Sequence, residues 1–315
     1  MSLLLGSQRH ARTAARSAAM VSALALLLSA WLASAESAKG DKKKPWDIEA
    51  TWGPTREVPL DLRQGTWMSV DVHPSGERIV FDLLGDLYEL PITGGEAIKL
   101  TDGVAWDFSP RYAPDGRSVA FVSDRGGGDN LWLLPVSTAG GAAPQTKPHA
   151  LSDESFRLVS SPAFTPDGRF VAGRKHFTSG RSLGAGEIWL YHVDGKTAGV
   201  QMNAKPNDQK DLGEPAFSPD GRWLYYSRDA TAGDHFEYGK DSNGAIYAIF
   251  RVDRRDGRTE QFIAGAGGAI RPTPSPDGRS LAWIRRHRGR TELMLRDLAD
   301  GTDSVLDDRL DRDLQ

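Results

Sequence analysis

Pro162-Ala163-Phe164-Thr165-Pro166-Asp167-Gly168 decides the fold, because the phrase recurs. Pro110, Pro215 and Pro272 open the same phrase ahead of Pro114-Asp115-Gly116, Pro219-Asp220-Gly221 and Pro276-Asp277-Gly278. A fifth copy, Pro74-Ser75-Gly76, has Val70 in place of the first proline. The copies stand 40 to 57 residues apart, a period that marks a β-propeller or another repeat array.

The residue types explain the phrase. Asp-Gly makes a tight turn, because glycine accepts positive φ and aspartate bonds its own backbone. The first proline cannot donate to a ladder, so it belongs at a strand start or edge. After each turn comes alternation: Ile79/Phe81, Val119/Phe121, Leu224/Tyr226 and Leu281/Trp283, with Val171 followed by Gly173 in the third copy. A period of two is a strand with one buried face. Second strands are predicted at Asp86–Leu90, Asn130–Leu134, Glu187–Tyr191, Ala245–Phe250 and Glu292–Arg296. Tyr88, Trp132, Trp189, Tyr247 and Met294 at their centres read as core between blades. Outer strands such as Glu96–Thr101 and Thr259–Ala264 bring each unit to four strands, a propeller blade.

The fold class is therefore all-β, a propeller over 58–308 with five visible blades. They span about 66–101, 105–151, 158–203, 211–264 and 268–307. Val58–Leu62 reads as a spare strand of the kind that completes a last blade. The sequence then runs into Asp307-Asp308-Arg309-Leu310-Asp311-Arg312-Asp313. Together these lead to the expectation of a ring of six or more blades, with 309–315 starting a linker to a missing blade or domain. The alternative is a self-sufficient five-bladed ring with a polar tail.

At the other end, Arg9, Arg12 and Arg16 precede the apolar stretch Ala18–Ala33 and the small-residue site Ala33-Ser34-Ala35. This is the pattern of a secretory signal peptide over 1–35, cleaved after Ala35. It places the protein in the periplasm or outside the cell. Residues 36–57, with Lys42-Lys43-Lys44, read as a polar leader. The chain has no cysteine, so it offers no lipidation site, disulfide or thiolate metal site. Nothing after residue 35 is long and apolar enough to span a membrane. Net charge is −3, against a broadly basic nucleic-acid surface.

Candidate site residues follow from blade geometry. Ser69, Ser109, Ser161, Glu214 and Arg271 stand just before the leading proline position, where first strands approach the central channel. They form a possible ligand- or ion-binding ring, or the wet lining of a tunnel. The insertion Arg174–Arg181 in blade 3 is cationic, and Arg174, His176 and Arg181 are candidates for contact with a carboxylate or an acidic domain. Asp229–Asn243 in blade 4 is an oxygen-rich loop whose spacing matches no EF-hand. Asp124–Asn130 is glycine-rich but joins two strands, so it does not open a phosphate-binding helix. His73 reads as a surface residue beside a turn. Neither a G-x-S-x-G elbow nor an H-x-H or H-E-x-x-H pair occurs. Catalytic, metal and cofactor residues are thus expected to be none in this chain.

The repeat, with Ser123-Asp124-Arg125-Gly126-Gly127 after a strand, resembles the TolB-like propeller repeat, which is WD-repeat-like in architecture. Gly65-Thr66-Trp67-Met68-Ser69, Phe81-Asp82-Leu83-Leu84-Gly85-Asp86, Arg174-Lys175-His176-Phe177-Thr178-Ser179 and Arg271–Gly278 resemble the N-terminal propeller of exported amidohydrolases. That resemblance covers about residues 46–315. It implies a C–N bond hydrolase whose divalent, zinc-like metal sits on a separate barrel, with this chain as a catalytically silent fragment that docks on the barrel and gates it. Two other readings stay open. One is a TolB-type envelope protein whose partners are envelope proteins, although only about 25 mature residues precede blade 1 here. The other is the propeller of a prolyl oligopeptidase-like serine hydrolase.

Overall fold

The computed structural model describes residues 47–48, 53–54, 56–137, 147–154, 158–177, 185–195, 198–203, 207 and 209–309. The proposed signal peptide, most of the polar leader, Arg181 and the last six residues lie outside them. The described residues form strands and turns without an α-helix, and no helix is long and apolar enough to cross a membrane.

Five four-stranded antiparallel sheets follow one another in chain order. Blade 1 comprises Val70–Val72, Arg78–Leu83, Asp86–Pro91 and Ile98–Lys99. Blade 2 comprises Asp107–Tyr112, Ser118–Ser123, Asn130–Pro135 and His149–Ala150. Val159–Phe164, Phe170–Phe177, Ala185–His192 and Val200–Asn203 make blade 3. Leu212–Phe217, Trp223–Asp229, Tyr247–Asp253 and Thr259–Ile263 make blade 4. The fifth is Ile270–Pro274, Ser280–His287, Arg290–Asp297 and Asp303–Asp307. Within every blade each strand pairs with the next, so the protein is a five-bladed β-propeller.

The recurring phrase performs two tasks. Its glycines (Gly76, Gly116, Gly168, Gly221 and Gly278) hold φ between 68° and 75°, the left-handed region that a tight turn needs. The phrases also stack from blade to blade. A Cβ on Gly168 would meet Pro114 at 3.7 Å, one on Gly221 would meet Pro166 at 3.9 Å, and one on Gly278 would meet Pro219 at 3.8 Å. Proline of one turn thus rests on glycine of the next. Between blades 1 and 2 the contact is made by His73 instead. Its Nε2 lies 3.2 Å from the Gly116 carbonyl and its ring meets Tyr112 edge-on at 4.9 Å. His73 is accordingly part of an inter-blade contact rather than a bystander on the surface.

Apolar cores fill the four seams between successive blades. Val80, Leu87 and Leu100 of blade 1 pack on Val119, Phe121 and Leu134 of blade 2. Val122, Leu131 and Leu133 meet Val159, Val171 and Tyr191 at seam 2/3. Ala172, Ile188 and Leu190 meet Phe217, Leu224 and Tyr226 at seam 3/4. Tyr225 and Ile249 meet Leu281, Trp283 and Met294 at seam 4/5. Among the described residues no such cluster joins blades 5 and 1, and Val70, Val72, Val305 and Leu306 on those outer blades are about half exposed.

Three expectations change. Val58–Leu62 forms no strand and its apolar side chains are exposed, because three alternating residues without a partner ladder cannot hold an extended edge. In blade 4 the residue opposite Tyr226 is Phe250, not Tyr247, because the long loop delays the start of the third strand. Met294 is enclosed and Trp132 and Trp189 pack, partly buried, against the cores of seams 1/2 and 2/3, but Tyr88 and Tyr247 are partly buried outside these clusters. Gly173 fits the gap in the alternation: a Cβ there would stand 2.9 Å from Leu131 and 2.7 Å from Val159.

Candidate functional site

First strands of successive blades touch one another along the inside of the array. Four of the five residues picked out at this position share a rare backbone state. Ser109, Ser161, Glu214 and Arg271 have φ of 54°, 55°, 55° and 56°, and each lies in a bulge of its first strand. A non-glycine residue at positive φ is strained, and a following proline adds to the cost. Ser69 does not share it; Trp67, two residues earlier, holds φ 60° instead. The bulge accommodates the proline within the first strand by breaking the ladder locally.

Side chains of the preceding blade tie these bulges down. The relevant position is eight residues beyond the turn proline, in the second strand: Asp82, Val122, Arg174, Ser227 and Ile284. Asp82 accepts the Ser69 N–H at 2.9 Å and the Ser109 N–H at 2.7 Å, so one buried carboxylate joins blades 1 and 2. Burial raises its pKa above the ordinary carboxylate value, more than these backbone bonds lower it. Arg174 donates from Nε to the Leu212 carbonyl at 3.0 Å and from Nη2 to both Asp211 oxygens at 2.6 and 2.5 Å, joining blades 3 and 4. At seam 4/5 the Ser227 hydroxyl donates to Glu214 at 2.5 Å, and Arg271 gives its N–H to Glu214 at 2.9 Å and its Nε to the same carboxylate at 3.2 Å.

The structure thus brings Glu214 and Arg271 together as an ion pair and places Ser69 and Ser109 on one carboxylate. Ser161 has no equivalent latch, because the corresponding residue of blade 2 is Val122. Arg174 and His176 correct the expected loop: both lie in the eight-residue second strand of blade 3. The strand runs on because Arg174 to Phe177 pair with Ala185 to Ile188. Arg174 is engaged by Asp211, so it is not a loose cation. His176 Nε2 stands 3.4 Å from the Ser160 hydroxyl. Arg181 lies outside the described residues.

Two carboxylates of the blade 4 segment use one oxygen each on local partners. Asp229 accepts the N–H and hydroxyl of Thr231 at 3.0 and 2.6 Å, and Lys210 stands 3.5 Å from it. Asp241 accepts from the Asn243 backbone and side chain, both at 2.9 Å, which holds its pKa below the ordinary value. No three His, Cys, Asp or Glu gather into a metal-holding group among the described residues.

Sequence reading missed a set of exposed apolar side chains. Trp67 is 94% exposed, Leu84 61%, Val104 61% and Trp106 56%. Two glycines make close approaches nearby: a Cβ on Gly65 would strike Met68 and Leu83, and one on Gly85 would strike the Trp106 ring at 2.9 Å. Trp67 and Leu84 also sit at positive φ. Large exposed apolar side chains, two of them held at strained backbone, are a feature of binding sites. The signal was present in Gly65–Ser69 and Phe81–Asp86, whose apolar residues exceed what the alternation can bury.

No family model matches the chain. The "uncharacterized peptidase YuxL" of Bacillus subtilis (strain 168) is 34% identical over 169 residues, 45% of this chain and 24% of that protein. Tricorn protease homolog 1 of Streptomyces coelicolor is 27% identical over 232 residues, 73% of this chain and 20% of its own length. The chain therefore spans about a quarter and a fifth of these curated relatives. Among solved structures, a TolB-like protein from Agrobacterium tumefaciens superposes with a TM-score of 0.57 at 21% identity, over 76% of this chain and 79% of that one. At that identity the likeness concerns the fold. The chain thus shares the propeller fold of that protein and is similar in sequence to part of two proteins named as peptidases.

Proposed function

We propose that this chain is the non-catalytic propeller module of an exported hydrolase, docking on a catalytic domain and restricting which substrates reach it. The exposure of Trp67, Met68, Leu84, Val104 and Trp106 carries the proposal. Exposed aromatic side chains beside small turns are the anchors that a neighbouring domain covers. The open outer faces of blades 1 and 5 are where a further blade or domain would pack. Peptidase chemistry in the partner is supported by the two relatives, which are named as peptidases and are several times longer than the matched region. The second reading is an amidohydrolase partner with its own zinc-like metal, favoured by the strings Gly65–Ser69 and Arg271–Gly278. Export to the periplasm is part of both readings, and a purified native protein beginning at Glu36 would support it.

The test is affinity capture from the envelope extract of the native host with tagged wild-type chain and with a Trp67→Ser/Trp106→Ser variant. Recovered proteins are identified by mass spectrometry and assayed on aminoacyl anilides and on cyclic amides. A hydrolase recovered by wild type and at least about tenfold less by the variant is the expected result. Recovery of an envelope lipoprotein without hydrolase activity would overturn the reading in favour of a TolB-type interaction protein. Anilide against cyclic-amide turnover separates the peptidase from the amidohydrolase.

A further inference from the structure

A cavity of about 670 Å³ opens at seam 4/5, at positions that are apolar core at seam 3/4. Strand register gives the equivalence. At seam 3/4 the corresponding residues are Phe170, Ala172, Leu190, Met202, Phe217 and Val252, all in one apolar cluster. At seam 4/5 the same positions hold Trp223, Tyr225, Arg251, Phe262, Pro274 and Arg296, and all six line the cavity. Two arginines and a proline replace Leu, Val and Phe. The scaffold does not require this, since the preceding seam is closed by ordinary packing.

The wall of the cavity is a ladder of alternating planes. Arg251 stacks 4.0 Å from the centre of Trp223 on one side and 4.0 Å from Phe262 on the other. Arg222 continues beyond Trp223 at 4.7 Å, and Arg296 beyond Phe262 at 5.3 Å. Both cavity guanidiniums are already neutralised. Arg251 donates from Nε to Glu260 at 2.6 Å. Arg296 makes two bonds of 2.7 Å to Asp303 and gives Nη1 to the Phe262 carbonyl at 3.0 Å.

The rim has the opposite balance. Asp220, Asp277 and Asp297 line it and each uses Oδ1 within its own turn, accepting from the backbone N–H of Arg222, Arg279 and Ala299 at 3.0, 3.0 and 2.7 Å. Asp220 and Asp277 also accept from Ser218 and Ser275, and these hydroxyl bonds hold both carboxyls below the ordinary value. Among the described residues, the second oxygen of each has no protein donor. An aromatic wall with spent cations, under a rim of three carboxylates, matches a ring or apolar body that carries a positive charge.

We propose that this cavity is a binding site for aromatic primary amines, the ring stacking on the Trp223–Phe262 wall and the ammonium meeting the Asp220/Asp277/Asp297 rim. The inference is independent of the hydrolase reading, since it concerns residues of this chain alone. Calorimetric titration of the purified chain with 2-phenylethylamine, and with phenylacetate as the anionic match, tests it. The amine is expected to bind with Kd below about 1 mM and at least about tenfold tighter than phenylacetate. Asp220→Asn/Asp277→Asn/Asp297→Asn should weaken the amine at least about tenfold and leave the neutral 2-phenylethanol unchanged. Arg251→Leu/Arg296→Val, which restores the residues of seam 3/4, should remove binding of both. A Phe-initiated tetrapeptide amide separates the two sources of this chemistry: tighter binding than the free amine identifies a peptide N-terminus, and weaker binding a small amine. Equal affinity for amine and acid, or an undiminished amine affinity in both variants, overturns the proposal.

Discussion

Seams 1/2 and 4/5 occupy equivalent places in the repeat and are built from opposite charges. Seam 1/2 buries carboxylates. Asp82 holds two backbone N–H groups, Asp71 accepts the Tyr112 N–H at 2.7 Å, and Glu89 accepts the Tyr112 hydroxyl at 2.7 Å. Seam 4/5 stacks guanidiniums on aromatic rings and leaves a cavity. The difference shows that the propeller fixes strand order and turn stacking but leaves seam chemistry free. Carboxylates at the first seam satisfy backbone N–H groups and the Tyr112 hydroxyl, so they are structural. Arginines at the last are satisfied by carboxylates outside the cavity, so they shape a surface more than they hold the blades together.

Asp82→Ala should break the first side of that comparison most severely. It strands two N–H groups beside blade 2, and a loss of about 2–4 kcal/mol in urea unfolding is expected. Arg251→Leu/Arg296→Val at the other seam should change stability by no more than about 1.5 kcal/mol, because the carboxylates left behind, Glu260 and Asp303, are about a third exposed and keep their water. A loss as large as that of Asp82→Ala would mean that both seams are structural. Ser109→Gly should stabilise by up to about 1 kcal/mol by relieving positive φ. Glu214→Gly relieves the same strain but removes the latch on Arg271, so its midpoint should fall below that of Ser109→Gly.

Acidity provides the finest distinction. Burial raises the pKa of Asp71 and Asp82, so each contributes stability that is present below the unfolded carboxylate value and is lost as pH rises through the folded one. Asp220 and Asp277 are shifted down by their serine and backbone bonds, so theirs is present above the unfolded value and lost as pH falls through the folded one. Between pH 6 and pH 4, Asp71→Asn should therefore lose more stability than wild type on acidification. Asp277→Asn should lose less. Urea midpoints at the two pH values read both, and the same sign for the two variants would remove the contrast.

Much of the fold was legible because it is local. The turn phrase and the alternation after it lie within about a dozen residues, and both follow from φ preference and a period of two. The seams were not legible in the same way. Asp82 acts on Ser109, and Ser227 on Arg271 at 3.0 Å, across intervals that change with every blade. Arg174 looked like part of a basic loop because its partner Asp211 belongs to the next blade. The ring positions are visible in the sequence as repeat positions, yet their chemistry depends on residues opposite them. Arg251 and Arg296 did carry a signal: Arg296 stands where the other blades have Leu, Tyr or Val, and Arg251 where blades 2, 3 and 5 have Leu and blade 1 has Glu89. Only register between strands turns that anomaly into a cavity.

The latches have a direction. Asp82, Arg174 and Ser227 each belong to the earlier blade and seize the first strand of the later one. A ribosome delivers blades in that same order. Every latched strand therefore emerges onto a catch already in place, and the array can close one blade at a time as it is made. Circular permutation that puts blade 2 ahead of blade 1 would reverse this order at a single joint, leaving the finished contacts the same but the first strand of blade 2 waiting, uncaught, for its carboxylate.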